Sequence, residues 1–324
     1  MNPNKMNPNK MKAIVCPKYG PPEVLQLKEV EKPSPTDDEV LIKIYATAVT
    51  ASDIFIRGSQ IPVKFWILMR LAIGLTRPRK SIIGLVLAGE IESAGKNIKR
   101  FKPGDRVYGL TGFGLGAYAE YKCMKETDSM DGCLAIKPDN ISYEEATVAA
   151  YGGLLAVQYM EKGNIRHGQE VLIYGASGTT GTTAIQFARY LGAKVTAVCS
   201  TANLELVKSL GAEKVIDYTK EDTLSPGIKY DFILDAVGKR KSSKLKEVCK
   251  NALTAGGIYV SIDDGSLMLD SNRLAFIKEL VETGYIKPVI DRIYPLEHIV
   301  EAHTYVGKGH KKGGVVITVG HNSK

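Results

Sequence analysis

A glycine-spaced turn that follows an apolar strand constrains the fold of this chain more than any other feature. Val171–Tyr174 reads as a buried strand, and the segment Gly175-Ala176-Ser177-Gly178-Thr179-Thr180-Gly181 leads from it into an amphipathic helix. Glycines at this spacing permit a tight turn, close approach of a pyrophosphate to the backbone, and close packing of the helix on the sheet. The first turn of the helix supplies free amide groups and a partial positive charge for that diphosphate. The motif therefore predicts a dinucleotide-binding turn.

Strand-like and helix-like segments alternate with short loops on both sides of this turn. A long helix is predicted over Tyr143–Lys162, and the segments after the turn read as βα units that end in a strand at Ile258–Ile262. Such a run forms a parallel, doubly wound sheet, because parallel strands require crossover connections. The sequence therefore predicts an α/β fold with a nucleotide-binding domain over residues 140–284.

The flanking regions read as one β-rich domain that the nucleotide-binding domain interrupts. Strand-like runs at Lys12–Cys16, Val40–Ala46 and Ile82–Ile91 precede the interruption, and a last strand is predicted at Val315–Val319. We assign residues 11–139 and 285–324 to this domain. Residues 1–10 repeat the sequence MNPNK in tandem without an apolar pattern, and they are predicted to be a disordered leader outside the fold.

Composition and charge limit the classes of protein that this chain can represent. No apolar run reaches the ~18 residues that a membrane span requires. The net charge of +8 is spread along the chain and does not by itself indicate a nucleic-acid partner. The densest basic cluster, Lys239–Lys250, reads as a solvated helix face, with an RNA contact as the alternative. The five cysteines lack C-x-x-C spacing, which predicts free thiols in a reducing cytoplasm.

The end of the second predicted strand of the nucleotide-binding domain bears on the choice of cofactor. NAD sites place an acidic residue there to bind the ribose 2′-hydroxyl. This chain instead reads Ser200-Thr201-Ala202-Asn203, and Tyr218 ends the next strand. Hydroxyl groups at these positions suit a 2′-phosphate, so the sequence favours NADP(H).

Several further motifs occur in the order found in medium-chain quinone oxidoreductases. They are Met11-Lys12-Ala13-Ile14, Asp38-Glu39-Val40-Leu41-Ile42-Lys43, Gly104-Asp105-Arg106-Val107, Gly175-Ala176-Ser177-Gly178, Leu210-Gly211-Ala212, Val215-Ile216-Asp217-Tyr218 and Asp235-Ala236-Val237-Gly238. The chain resembles the zinc-independent, zeta-crystallin-like members of the medium-chain dehydrogenase/reductase family over nearly all of residues 11–319. The resemblance implies a GroES-like catalytic domain, an inserted Rossmann domain, and an active site in the cleft between them.

The resemblance also implies roles for individual residues toward NADP(H). It places residues 177–180 on the pyrophosphate and Ser200 and Tyr218 at the 2′-phosphate. One departure concerns Asn203, or Ala202 under a shifted alignment, which stands where relatives commonly carry a lysine for the 2′-phosphate. The full set of implied cofactor-binding residues is Gly175, Ser177, Gly178, Thr179, Thr180, Gly181, Ser200, Tyr218, Val237 and Gly238 (adenosine side), Ser261 (near the nicotinamide) and Lys308 (phosphate end).

The first domain lacks the residues that a catalytic zinc requires. Such a site needs three protein ligands and an open position, yet residues 1–150 contain no histidine. The segment that corresponds to the Cys-His-x-Asp of zinc-dependent relatives reads Thr50-Ala51-Ser52-Asp53. We therefore predict that the protein uses no metal.

Without a Lewis acid, hydride transfer to a conjugated acceptor is the favoured chemistry, because the developing charge delocalises over the carbonyl. Thr50 is the predicted hydrogen-bond donor to the oxyanion. Asp53 is predicted to order that loop, and a simple turn or cap carboxylate is an equally good interpretation. Phe55 and Ile61 stand where some relatives carry tyrosines, so the sequence identifies no general acid.

These observations predict an NADPH-dependent reductase of a quinone or an α,β-unsaturated carbonyl. An enoyl-thioester reductase is one alternative, and an NADPH-gated RNA-binding protein with little catalysis is another. A small-molecule substrate is the expected partner, while nucleic acid and membrane are disfavoured.

Two segments depart from what the resemblance leads us to expect. Relatives dimerise through strands that follow the last core Rossmann strand, but only about a dozen residues separate Ile262 from the helix near Leu274. A homodimer stays the expectation, with an interface that differs from the family's. The apolar insertion Pro62–Lys80 is predicted to be a lid over the substrate cleft, with a subunit contact or a membrane surface as alternatives.

Overall fold

The computed structural model describes residues 9–58, 74–238 and 243–321. The strands, in chain order, are β1 Lys10–Val15, β2 Gln26–Glu31, β3 Glu39–Val49, β4 Val86–Ala94, β5 Arg106–Leu110, β6 Tyr121–Lys125, β7 Cys133–Ile136, β8 Glu170–Tyr174, β9 Lys194–Cys199, β10 Lys214–Asp217, β11 Tyr230–Asp235, β12 Leu253–Ser261, β13 Ile290–Pro295 and β14 Gly314–Thr318. The helices are α1 Ala51–Gly58, α2 Tyr143–Val148, α3 Leu154–Glu161, α4 Thr179–Tyr190, α5 Leu204–Ser209, α6 Lys244–Lys250, α7 Ser271–Glu282 and α8 Ile299–Gly307. A single π-helical turn, Ala149–Gly153, joins α2 to α3.

The second half of the chain builds a parallel sheet of five strands in the order β10-β9-β8-β11-β12. Strand β8 lies in the middle of this sheet. Its side chains Val171, Leu172 and Ile173 are fully buried, as expected for a strand with helices on both faces. The strand order reverses between β8 and β11, and ligands bind at the carboxyl ends of strands at such a point. The predicted α/β fold with a doubly wound sheet is confirmed.

The remaining large sheet has the strand order β13-β14-β3-β4-β5-β7, with β6 paired to β3. Strand β14 is antiparallel to β3, with Val315 opposite Val49, so the C-terminal segment joins strands from the first third of the chain. In the sequence, strands of this sheet occur both before and after the five strands of the parallel sheet. We propose that the two sheets define the domains at the boundaries inferred above.

One hydrophobic core extends across the two sheets. It includes Ala48 and Val86 of the larger sheet together with Leu154 and Ile173 of the nucleotide-binding region. A buried hydrogen bond of 2.5 Å from the Tyr108 hydroxyl to the carbonyl of Leu274 crosses the same boundary. This packing fixes the carboxyl ends of β8 and β11 relative to the end of β3, where the candidate catalytic segment begins.

Some local predictions were wrong. Strand β1 begins at Lys10, which pairs with Glu31, so the predicted leader overlaps the strand by one residue; residues 1–8 lie outside the described residues. The predicted helix Tyr143–Lys162 is confirmed as a continuous helical segment from Tyr143 to Glu161, and the π-helical turn within it was not predicted. Residues 62–73 of the predicted lid also lie outside the described residues, and residues 74–80 are not helical. Among the described helices, none is both long and apolar enough to cross a bilayer.

Candidate active site

The glycine-spaced turn between β8 and α4 has the geometry of a phosphate-binding loop. Gly175 has a φ of +78°, and a Cβ there would lie 2.4 Å from Val237 Cγ2. A Cβ on Gly181 would lie 2.4 Å from the carbonyl oxygen of Gly175, so close packing of α4 excludes any side chain. At Gly178 the nearest atom is 3.5 Å away, which leaves room for a ligand to approach the backbone. The turn therefore fits a diphosphate at the start of α4.

The adjacent strand ends bring further predicted cofactor residues to the same place. Both the Val237 and the Gly238 amide groups donate to Asp235 Oδ1, each at 3.0 Å, and this fixes the loop after β11 next to Gly175. Ser261 ends β12, is nearly buried, and its amide donates to Asp264 Oδ2 at 2.7 Å. The carboxyl ends of β8, β11 and β12 thus lie next to one another at the same edge of the sheet.

At the end of β9, an amide side chain organises the hydroxyl groups that were predicted to meet the 2′-phosphate. Asn203 Nδ2 donates to Ser177 Oγ at 3.1 Å and to Ser200 Oγ at 3.2 Å. Asn203 Oδ1 is buried without a hydrogen-bond partner among the described residues, so a bound ligand could supply a donor there. The Tyr218 amide donates to the carbonyl of Cys199 at 3.1 Å, which places Tyr218 beside Ser200.

An acidic residue that the sequence analysis did not consider also lies near this site. Asp217 ends β10, but its carboxylate accepts hydrogen bonds from the hydroxyls of Thr201 and Thr219. The Thr219 amide adds a third, at 3.0 Å. Since these hydrogen bonds hold the carboxylate within its own loop, Asp217 shapes the loop that follows β9.

A lysine near the C-terminus contacts the phosphate-binding turn, and the sequence analysis missed it. Lys311 Nζ donates to Thr179 Oγ1 and, at 2.7 Å, to the carbonyl of Gly313. The Gly313 amide donates to the carbonyl of Ser177 at 2.8 Å. Lys308, the predicted residue, lies exposed at the end of α8 and makes no hydrogen bond to the turn among the described residues. Lys311 therefore brings a positive charge to the start of α4.

Thr50 and Asp53 form the reciprocal cap of helix α1. The Thr50 amide donates to Asp53 Oδ2 at 2.8 Å, and the Asp53 amide donates to Thr50 Oγ1 at 3.2 Å, which is the pattern of a capping box. The Thr50 hydroxyl also donates to Asp53 Oδ2, at 2.5 Å. Burial raises the pKa of Asp53 to about 6, and the hydrogen bonds from Thr50 oppose that rise. This geometry supports the interpretation of Asp53 as a helix-cap carboxylate. The Thr50 hydroxyl is itself hydrogen-bonded to that carboxylate.

A different pair of hydroxyl groups joins the two domains next to this cap. The Ser52 and Tyr151 hydroxyl oxygens lie 3.1 Å apart, and both side chains are partly exposed. Tyr151 belongs to the π-helical turn, which packs on the first turn of α4. Among the described residues, no three His, Cys, Asp or Glu side chains are arranged to hold a metal ion. Metal independence stays a prediction.

Most of the chain matches models of known domain families. Residues 36–136 match the family model of the alcohol dehydrogenase GroES-like domain, and residues 179–281 and 265–317 match models of the zinc-binding dehydrogenase domain. The chain is 33% identical to 2-methylene-furan-3-one reductase of Solanum lycopersicum, over 96% of this chain and 79% of that protein. The chain belongs to the medium-chain dehydrogenase/reductase family. The GroES-like and Rossmann assignments are therefore confirmed, as is the oxidoreductase class.

Two other members of the medium-chain dehydrogenase/reductase family illustrate the range of similarity. The chain is 30% identical to the chloroplastic NADPH-dependent alkenal/one oxidoreductase of Arabidopsis thaliana, over 96% of this chain and 80% of that protein. The structure of the quinone oxidoreductase from Coxiella burnetii superimposes with a TM-score of 0.80 at 26% identity, and covers 96% of this chain and 100% of that one. The similarity thus extends over both domains.

Proposed function

We propose that this protein is an NADPH-dependent reductase of quinones or α,β-unsaturated carbonyls that uses no metal. The observation that carries the proposal is the convergence of the phosphate-binding turn, Lys311 and the Ser52–Tyr151 pair at the junction of the two domains. The relatives named for alkenal/one and quinone reduction support the substrate class. Bound NADPH would supply the hydride.

The residues of the chain would bind and orient the reactants. The amides at the start of α4, together with Lys311, would hold the pyrophosphate, since a helix N-terminus and an ammonium both attract that charge. Ser200, Asn203 and Tyr218 would surround the ribose phosphate, in line with the relative named as NADPH-dependent. Val237, Gly238 and Ser261 would line the path from the adenosine to the nicotinamide.

The structure disfavours the RNA-binding alternative. Lys244 pairs with Asp222 at 2.7 Å, and Lys246 pairs with Asp235 at 2.6 Å while almost completely buried. Lys246 therefore does not belong to a solvated helix face, contrary to the sequence prediction, because it supports the carboxylate that fixes the loop after β11. Residues 239–242 of the basic cluster lie outside the described residues.

We also propose a cytoplasmic location and a homodimer. The location is supported by the five free cysteines, four of them buried, since unpaired thiols suit a reducing compartment. The relative from Arabidopsis thaliana is named as chloroplastic, so fractionation of cells that express the protein is the appropriate test. The homodimer is supported by the prevalence of twofold assemblies among soluble oligomers.

The function is tested by following NADPH oxidation at 340 nm with matched acceptors. We expect turnover with a quinone and an enone, little turnover with a medium-chain enoyl thioester, and no change after treatment with a strong chelator. Faster turnover of the thioester would favour the alternative reductase. Activity that disappears with the chelator and returns with zinc would contradict metal independence, and NADPH-sensitive RNA retention without turnover would contradict the proposal itself.

A further inference from the structure

The sequence pattern assigns no role to the hydroxyl pair formed by Ser52 and Tyr151. Ser52 lies in the first turn of α1, one residue before the cap carboxylate Asp53, whereas Tyr151 is contributed by the nucleotide-binding region 99 residues later in the chain. Both side chains are partly exposed. A substrate held between the domains can therefore reach these hydroxyls, whereas the buried Thr50 hydroxyl is bonded to Asp53.

The backbone that carries Tyr151 is held tightly by its neighbours. A Cβ on Gly152 would lie 2.8 Å from the carbonyl oxygen of Thr179 and 3.0 Å from Thr183 Oγ1, and a Cβ on Gly153 would lie 2.9 Å from Ile277. The π-helical turn is thus pressed against the first turn of α4, where the cofactor phosphates are expected. Such turns are uncommon and frequently occur at functional sites.

We propose that the Tyr151 hydroxyl, held 3.1 Å from Ser52 Oγ, is the proton donor that neutralises the oxyanion formed when a conjugated carbonyl is reduced. This inference rests on the proposed function and assigns a general acid where the sequence identified none. Ser52 is the positioning residue, because its hydroxyl accepts or donates the hydrogen bond that orients the phenol. Proton donation of this kind contributes a factor of about 10² to 10⁴ in rate.

The proton is needed because of how an enone is reduced. When the β-carbon accepts a hydride, the electron pair of the C=C bond shifts and leaves negative charge on the carbonyl oxygen. That oxygen takes the phenolic proton of Tyr151: one O–H bond breaks as the other forms, and the phenolate regains a proton from water. Overall, NADPH is oxidised to NADP⁺, and the enone takes up one hydride and one proton.

The two substrate classes differ in their need for this proton. Hydride transfer to a quinone forms an aromatic ring and is strongly favourable before any proton moves, whereas hydride addition to an enone leaves an enolate without that driving force. We therefore expect Tyr151→Phe to lower kcat for the enone about 100-fold with little change in KM, and to change kcat for the quinone less than threefold. The matched control is Tyr143→Phe, a partly exposed tyrosine eight residues earlier whose ring stacks on Tyr45 at 4.8 Å; it should affect neither substrate.

A second measurement does not depend on turnover. The anion 4-nitrophenolate resembles a delocalised oxyanion, and its absorbance reports binding to the protein in the presence of NADP⁺. We expect about tenfold weaker binding by Tyr151→Phe, a smaller loss by Ser52→Ala, and no loss by Tyr143→Phe. Equal losses of enone and quinone turnover in Tyr151→Phe, with unchanged binding of the anion, would show that the pair is only a contact between domains and would overturn the inference.

The outcomes for the unmodified protein separate this inference from the function on which it rests. Wild-type protein that reduces neither acceptor contradicts the proposed function. Wild-type protein that reduces the enone, with Tyr151→Phe equally fast, contradicts only the role of Tyr151.

Discussion

At the scale of single residues, the most unusual environment is a buried polar cluster beneath α1. Tyr118 and His303 are completely buried, and the Tyr118 hydroxyl and His303 Nε2 lie 3.1 Å apart. Asp53 Oδ1 and His303 Nδ1 are buried without a hydrogen-bond partner among the described residues. Burial, reinforced by the positive charge of Arg57, lowers the pKa of His303 to about 3. The imidazole of His303 is therefore neutral in the folded protein at neutral pH.

The depressed pKa of His303 predicts a specific loss of stability in acid. Below about pH 6.5 the unfolded chain binds a proton at this side chain, whereas the folded protein does not. The unfolding free energy therefore falls as the pH is lowered from about 6.5 toward about 3. Between pH 7 and pH 4.5, we expect the unfolding free energy of wild type to fall by about 2–3 kcal/mol more than that of His303→Gln. Urea unfolding followed by circular dichroism measures this difference.

The raised pKa of Asp53 has the opposite effect on the pH dependence of the unfolding free energy, and it is present in both wild type and His303→Gln. As the pH falls through about 6, the folded state takes up that proton more readily than the unfolded chain, which adds stability. This contribution cancels when His303→Gln is compared with wild type. The exposed His310 supplies the control, since His310→Gln should follow wild type at every pH. Parallel pH profiles for His303→Gln and wild type would contradict the prediction.

At the scale of elements, the phosphate-binding turn depends on the segment that leads into β14. Gly313 bridges to Gly178 in parallel fashion, and the Thr179 hydroxyl donates to the carbonyl of Gly313 at 2.7 Å. The helix start that is proposed to bind phosphate is thus supported by a segment from the C-terminal part of the chain. Lys311 adds a positive charge at this junction. On the proposed binding mode, that charge would face the pyrophosphate, which NADPH and NADH share.

This placement predicts how substitutions of two lysines and one asparagine change cofactor affinity. Lys311→Met should weaken NADPH and NADH alike by about tenfold, because the lost interaction is a charge-assisted hydrogen bond to the shared pyrophosphate. Lys308→Met, the matched control, should change neither affinity. Asn203→Lys should strengthen NADPH alone, since it adds a charge at the 2′-phosphate. Fluorescence titration gives all of these dissociation constants, and an equal loss in both methionine variants would contradict the assignment of Lys311.

At the scale of the whole molecule, the five-stranded sheet ends in an open edge. Strand β12 pairs only with β11 within the described part of the chain, and Ile258 on it is 39% exposed. After β12 the chain passes through Asp263 and Asp264 into α7 without a sixth strand in the described residues. An open edge of this kind is available for pairing with a second copy.

We expect the protein to sediment as a dimer at micromolar concentration, with this edge in the interface. Ile258→Lys should shift the sedimentation profile toward monomer, because edge lysines oppose strand pairing. Ile293→Lys is the matched control, since Ile293 is 53% exposed on β13 of the other sheet, and it should leave the dimer intact. A wild-type monomer would contradict the homodimer, and a dimer insensitive to Ile258→Lys would place the interface elsewhere.

The sequence by itself determined the features that depend on residues close together in the chain. The spacing of Gly175, Gly178 and Gly181 after an apolar strand requires the tight turn and the close helix, whatever surrounds them. The alternation of strands and helices across residues 170–262 likewise determines a parallel sheet, because each unit is specified by local hydrophobic periodicity and short loops.

Only the tertiary structure decided which distant side chains complete the site. Lys311 and Thr179 are 132 residues apart, and Ser52 and Tyr151 are 99 apart; no local pattern marks either pair. Lys308 and Lys311 lie in the same polar segment, and periodicity cannot distinguish them. The pairing of β14 with β3 sets the path of that segment and brings Lys311 to the turn. In the π-helical turn, Gly152 and Gly153 pack closely against α4 and α7. The contact of Tyr151 with Ser52 forms only when the two domains pack together, because each domain contributes one of the two hydroxyls.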